Sequence, residues 1–375
     1  MLDLHAEYLY MKKDIDAAIQ RCLDHQRWIL GPEVKELEGK IADYLGVKHC
    51  IGASSGTEAL VLSLRALAIK TKGREYFDRA DEIVTTPFTF TATGDAIVRS
   101  GATPVFADID PRTYNIDAGK VREYLAQNPG RVVGIVPVHL YGQACDMDAI
   151  MSLAREYDLF VVEDIAQAFG AAWKGRKLGS IGTTGCFSFF PSKNLGGFGD
   201  GGMVSTGDDE TAELVRMLLK HGGRDKYNVD HIGYNARLDT LQAAVILAKF
   251  GYIDEFNRRR QKIAESYNRG LECMKEISLP VVLNPSDVYH VHHQYTVRTT
   301  ERDRLQAHLK EKGIATMIYY PHPLHKMKVF EGRSKASGSL RNAEDASLSV
   351  FSLPIEPLQS PEETQYIVKC IKNFY

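Results

Sequence analysis

Between Glu82 and Glu163 the chain alternates short apolar runs with amphipathic stretches. Runs 82–87, 103–109, 132–140 and 159–163 are strand-like, and 90–100, 115–126 and 146–157 carry helical periodicity. This alternation constrains the fold more than any other feature. Strands separated by helices of this length need right-handed crossovers, so they form a largely parallel sheet covered on both faces, an α/β architecture. Ligands of such sheets bind beyond the carboxyl ends of the strands. Phe90 follows Thr86-Pro87, His139 and Tyr141 follow Val136, and Asp164 follows Phe160-Val161-Val162, so all four lie at those ends.

With 375 residues the chain is long enough for two cores, since single cores seldom grow past about 250–300 residues. A net charge of −2 gives no electrostatic case for nucleic acid or an anionic membrane. No run approaches the length of a membrane span, and the opening residues carry acids without an apolar segment, so the expected setting is the cytoplasm. The six cysteines show no C-x-x-C spacing, which predicts buried free thiols and no metal site.

The chemistry concentrates at Ser188 to Gly202, SFFPSKNLGGFGDGG, where Lys193 stands between an aromatic strand and five glycines. The aromatics can bury the strand, and the glycines let backbone approach a ligand closely. A lysine desolvated in this way loses its proton and can attack a carbonyl to form a Schiff base, the entry to pyridoxal phosphate chemistry. A lone lysine in a glycine-rich turn is ordinarily just solvated, so this reading requires partners elsewhere. GFGDGG, from Gly197 to Gly202, matches a dinucleotide fingerprint in letters only, because 202–206 reads as a strand where that motif needs a helix.

Two partners are available. Ala53-Ser54-Ser55-Gly56-Thr57 precedes a helix carrying Leu60, Leu64 and Leu67. Its free N–H groups and the helix dipole make an anion site, although the same cluster serves equally as an ordinary N-cap. Asp164 leaves a near-continuous apolar strand, where a carboxylate needs a cation or donors. A protonated pyridine nitrogen is such a cation, and a helix cap is the alternative.

The motifs SSGTEAL, TPFTFTAT, PVHLYGQ, VVEDIAQAFGA, SFFPSKNLGGFGDGG and GYNARLDTLQAA, in this order, resemble the DegT/DnrJ/StrS-type sugar aminotransferases over nearly the whole chain. These are pyridoxal-phosphate enzymes of the aspartate aminotransferase fold, fold type I. Asp200 in the lysine loop makes the pattern most similar to members that aminate the third carbon of a keto sugar nucleotide; members acting on the fourth carbon are the alternative. The resemblance implies that Lys193 binds the cofactor's carbonyl carbon and moves protons, Asp164 pairs with the pyridinium nitrogen, Gln167 bonds the phenolic oxygen and Phe90 stacks on the ring. It implies that Ser55, Gly56, Thr57 and Ser188 hold the phosphate and that Asn235 reaches the cofactor of a neighbouring subunit, hence a homodimer with shared sites. Glutamate as amino donor and a pyridoxamine 5′-phosphate form are likewise implied. Arg237, Tyr319, His322 and Lys326 are candidate substrate contacts; Arg237 can instead be structural, and relatives with histidine at the Tyr319 position leave its role open. A non-catalytic cofactor-binding regulator and a nicotinamide oxidoreductase are the competing readings. A dehydratase of the same fold resembles this pattern with histidine in place of the lysine.

The expected division is a large cofactor-binding domain, 1–250, and a small C-terminal α/β domain, 251–375. In the latter, 293–320 reads strand, helix, strand, and Ser360-Pro361-Glu362-Glu363 is a capping box that starts a final helix. The charged connection 70–81 reads as a surface excursion.

Overall fold

The computed structural model describes residues 3–375. In chain order its strands are β1 (His49–Ala53), β2 (Glu82–Thr85), β3 (Thr103–Phe106), β4 (Val132–Val136), β5 (Phe160–Asp164), β6 (Ala172–Trp173), β7 (Arg176–Lys177), β8 (Thr184–Ser188), β9 (Gly202–Thr206), β10 (Val288–Tyr289), β11 (Tyr295–Arg298), β12 (Lys335–Ala336) and β13 (Val350–Leu353). Eight of them form one sheet in the order β1-β9-β8-β5-β4-β2-β3-β12. All of its pairings are parallel except those of β9, which runs antiparallel to both β1 and β8.

Side chains alternate across the sheet into two cores. Val84, Val161, Phe187 and Met203 enter one apolar layer, while their neighbours Ile83, Val162, Cys186 and Val204 enter the other. The period of two therefore survives inside runs that are apolar throughout, as expected for a sheet covered on both faces. The helix Gly56–Lys72 is buried continuously from Ala59 to Ala68, which places its N-terminus rigidly at the carboxyl end of the sheet.

Residues 251–375 pack helices Ile253–Leu271, Arg302–Glu311 and Pro361–Lys372 on the two-stranded sheet β11-β13, with Tyr267, Tyr295 and Phe351 at the centre. The same region lends β12 to the edge of the large sheet. The final helix has the expected capping box: Ser360 Oγ accepts from the Glu363 N–H at 3.1 Å and Glu363 returns the bond to the Ser360 N–H at 2.7 Å. The strand expected at 314–320 does not form. Met317 makes one bridge to Ser352, after which Tyr319 and Tyr320 turn away to pack against the cluster around Phe88 and Tyr141, and β13 takes the place beside β11.

The 70–81 excursion is anchored as well as charged. Phe77 is buried and stacks on Phe160 with ring centroids 5.7 Å apart. Arg65, fully buried on the preceding helix, pairs with Glu75 at 2.9 Å and lies 3.6 Å from the centre of the Tyr76 ring. Five cysteines are buried free thiols; the sixth, Cys273, is exposed, because it falls just past the end of helix Ile253–Leu271. Among the described residues no helix is long and apolar enough to cross a membrane.

Candidate active site

A cavity of about 630 Å³ opens beyond the carboxyl ends of the central strands. Lys193 reaches it from the turn after β8. That turn is closed by Lys193 N–H to Phe190 O and Gly197 N–H to Phe189 O, both 2.8 Å, and Phe189 itself is fully buried. A Cβ on Gly196 would lie 2.5 Å from the Pro191 carbonyl oxygen, so the loop's tightness requires glycine there. Desolvation pushes the Lys193 amine down to about 8, against the opposing attraction of Asp164. Lys193 is partly buried and lines the cavity, so the amine is desolvated yet open to a reactant.

Asp164 ends β5 and is 4 % exposed. Its Oδ2 accepts from Thr93 Oγ1 at 2.8 Å and its Oδ1 from the Ala166 N–H at 3.1 Å. Burial raises its pKa; these two donors and the more distant Lys193 offset this only in part. No helix follows Asp164, so the expected helix cap is not made; the carboxylate instead caps a local turn through the Ala166 N–H and faces the cavity. Gln167 accepts from the Tyr141 N–H at 2.7 Å and donates to the Tyr320 hydroxyl at 2.9 Å, which fixes its amide on the cavity wall.

At the opposite end, Ser55 caps helix Gly56–Lys72, its Oγ accepting from the Glu58 N–H at 3.1 Å. Ser55, Gly56, Thr57 and Ser188 all line the cavity. A Cβ on Gly56 would lie 2.6 Å from the Ser188 Cβ, and one on Gly202 would lie 2.3 Å from the Ser55 carbonyl carbon. Glycine at both positions lets the helix N-terminus, β8 and β9 converge on one spot. First-turn N–H groups, the helix dipole and three hydroxyls there suit a phosphate. Phe90 is 59 % exposed while its neighbour Phe88 is fully buried, so Phe90 is a cavity wall and Phe88 the core residue.

These residues fit pyridoxal phosphate. The helix N-terminus takes the anion, Phe90 offers an apolar face, and the buried Asp164 carboxylate, whose two hydrogen-bond donors are both neutral, lacks the cation that a protonated ring nitrogen supplies.

Tyr319 joins these residues in the cavity, whereas His322 and Lys326 do not line it. His322 is exposed, and Lys326 pairs with Glu344 at 3.0 Å. Asn235 and Arg237 also lie outside the cavity wall; they bond each other, Asn235 is exposed, and Arg237 Nε is buried without a partner. Thr93, Tyr320 and His293 are cavity residues that the motifs did not single out. Thr93 had a legible signal, lying one helical turn from Thr89 on the helix that Phe90 opens. His293 had none: it comes from far along the chain and bonds Asn194 Oδ1 at 2.8 Å.

Residues 9–372 match the DegT/DnrJ/EryC1/StrS aminotransferase family. The chain belongs to this family. It is 45% identical over 378 residues to the "Pleiotropic regulatory protein" of Geobacillus stearothermophilus, covering 100% of this chain and 98% of that one. It is 39% identical over 372 residues to the UDP-2-acetamido-2-deoxy-3-oxo-D-glucuronate aminotransferase of Pseudomonas aeruginosa, covering 99% of both chains. The crystal structure of NtdA from Bacillus subtilis, with bound cofactor pyridoxamine phosphate, superposes with a TM-score of 0.87 at 30% identity, over 97% of this chain and 82% of that one. The fold is accordingly that of the fold type I pyridoxal-phosphate enzymes, and the cofactor of the family is pyridoxal 5′-phosphate.

Proposed function

We propose that this aminotransferase moves an amino group from glutamate to the third carbon of a UDP- or TDP-linked 3-keto hexose. The observation that carries the chemistry is one cavity holding a lysine of lowered basicity, a buried carboxylate short of a cation, and an anion cradle at a helix N-terminus. The third-carbon assignment is supported by the name of the Pseudomonas aeruginosa relative, which acts on a 3-oxo sugar nucleotide.

When bound, pyridoxal phosphate supplies the electron sink that accepts an amino group from one substrate and gives it to the next. Lys193 would hold the cofactor's carbonyl carbon and, as a free amine, would carry a proton to and from the substrate carbon bearing the amino group. Asp164, positioned by Thr93 and the Ala166 N–H, would keep the ring nitrogen protonated. Ser55, Gly56, Thr57 and Ser188 would hold the phosphate, Gln167 would bond the phenolic oxygen, and Phe90 would offer its face to the ring. Tyr319 and Tyr320 bound the space left for the sugar.

Asn235, exposed in one subunit, would reach the cofactor of a second in a homodimer, and Arg237, whose Nε is unsatisfied in one subunit, would pair a substrate carboxylate or brace the interface. Residues 1–250 act as the cofactor-binding domain and 251–375 as the part that closes over it. Free cysteines suit a reducing cytoplasm.

The test is an absorbance spectrum of the protein with pyridoxal phosphate, before and after glutamate, beside Lys193→Ala. A visible band that glutamate bleaches, and that the variant does not form, supports the reading; no band in the wild type refutes it. The name of the Geobacillus relative favours a regulatory role as a second reading. A visible band that glutamate leaves unchanged would favour that role. Turnover of 4-keto in preference to 3-keto sugar nucleotides would move the assignment to the fourth carbon.

A further inference from the structure

Arg260, on helix Ile253–Leu271, is 3% exposed. Among the described residues its guanidinium makes one hydrogen bond, Nη1 to the Ile355 carbonyl at 2.6 Å, and no carboxylate lies within 4 Å. The two acids whose fields reach it have other partners: Glu7 pairs with Lys249 at 2.6 Å, and Glu356 accepts from the Asp3 N–H at 2.8 Å. Burial lowers the guanidinium's pKa to about 10. A buried cation without an anion costs several kcal/mol, so such a group is ordinarily matched by something.

Arg260 lines a cavity of about 60 Å³, and its remaining N–H groups are not among the protein's enclosed, partnerless polar atoms. Ser192, His293, Gln294 and Tyr319 line both this space and the large cavity that holds Lys193, so the two share a wall. Ser352 adds a third hydroxyl to those of Ser192 and Tyr319. The space exceeds the roughly 10–15 Å³ that one water needs, enough for a small polar group. His293, buried and pushed to low pKa by desolvation and by both Lys193 and Arg260, stays neutral and adds no competing charge.

We propose that this small cavity is the subsite for the distal carboxylate of the amino donor, with Arg260 as its ionic partner. The proposal rests on the amino-transfer reading and specifies where that reading's donor binds. The lining residues common to both spaces put the subsite beside the Lys193 cavity and not at the lysine itself, so it receives the end of the donor remote from the reacting amino group. Arginine's planar fork matches a carboxylate in two parallel hydrogen bonds, which a lysine cannot reproduce.

The experiment follows bleaching of the visible band in the pyridoxal-phosphate-loaded protein by L-glutamate and by L-2-aminobutyrate, which lacks the distal carboxylate. Wild type, Arg260→Met, Arg260→Lys and Ser192→Ala are compared, with glutarate as an unreactive competitor. The expected result for Arg260→Met is a rise of about 10–100-fold in the half-saturating glutamate concentration, the worth of a charge-assisted pair. Its response to 2-aminobutyrate stays unchanged, and glutarate loses its inhibition. Arg260→Lys falls between, and Ser192→Ala shifts glutamate less than tenfold. In the two Arg260 variants, reaction of the pyridoxamine-loaded protein with the keto sugar is unaltered.

Equal glutamate dependence in wild type and both Arg260 variants overturns the proposal, as does a change in thermal stability with the glutamate-to-aminobutyrate selectivity intact. Should the Met variant yield no soluble holoenzyme, the Lys variant decides: it must lose selectivity several-fold or the subsite is wrong. A wild type that forms the visible band but ignores glutamate overturns the amino-transfer reading itself, and the subsite with it.

Discussion

Asp164→Asn isolates one charge from one shape. Asparagine's single oxygen can keep the Ala166 N–H bond that Asp164 Oδ1 accepts at 3.1 Å, its NH2 can donate to the Thr93 hydroxyl that Oδ2 engages at 2.8 Å, and it differs little in volume, so the cavity persists. What disappears is the anion that would face the ring nitrogen. A hydrogen bond to a charged partner is worth about 1.5–3 kcal/mol, and each 1.4 kcal/mol is tenfold in rate. The glutamate half-reaction of Asp164→Asn therefore slows by about 10–150-fold if the charge pair is made in the transition state. Stopped-flow absorbance of the loaded protein after mixing with glutamate measures it directly. Thr93→Val sharpens the test, because it removes one of the two donors that hold the carboxylate ionised. The expected loss is about fivefold, the worth of one neutral hydrogen bond of about 1 kcal/mol. Asp164 is already raised by burial, and loss of the Thr93 donor raises it further, so the acid limb of the pH profile moves to higher pH. An Asp164→Asn protein within twofold of wild type would refute the claim that this carboxylate sets the ring's protonation.

The remaining predictions concern the lysine, the cradle and the buried arginine. Lys193 in the cofactor-free protein is neutral only above about 8, so the rate of visible-band formation rises from pH 7 to 9 with its midpoint near that value; a profile flat over this range counts against the desolvated amine. Gly202→Ala places a Cβ 2.3 Å from the Ser55 carbonyl carbon, and the expected result is weaker pyridoxal phosphate binding, measured by fluorescence titration, at a phosphate site pushed apart. Glu75→Gln deprives the fully buried Arg65 of its carboxylate partner while leaving its bonds to Tyr234 and Ile232, and chemical denaturation should show a loss of about 1–3 kcal/mol.

Much of the site was legible because its chemistry is local. Lys193 needs a buried aromatic strand before it and glycines after it, and both are written within fifteen residues. Asp164 stood out as a charge at the end of an apolar strand, and the helix N-terminus at Ser55 as a small polar cluster before an apolar helix. The segment 314–320, strand-like in sequence but forming only one bridge, shows the limit. Its residues suit a strand, but the place beside β11 goes to Val350–Leu353, and which of two apolar segments wins a non-local pairing is settled by packing around Tyr319 and Tyr320, not by propensity.

The sequence by itself determined the α/β class, the parallel order of crossovers, the anion cradle and the lysine with its glycine loop, since each follows from periodicity or from residues adjacent in the chain. The tertiary structure alone decided that Phe90 faces the cavity while Phe88 is core, that Thr93 holds Asp164, and that His293 and Arg260 arrive behind Lys193 from 67 or more residues away. It also lowered the lysine's pKa and left a guanidinium short of an anion. Both are consequences of desolvation, and desolvation depends on what the whole chain packs around a group, which no local pattern records.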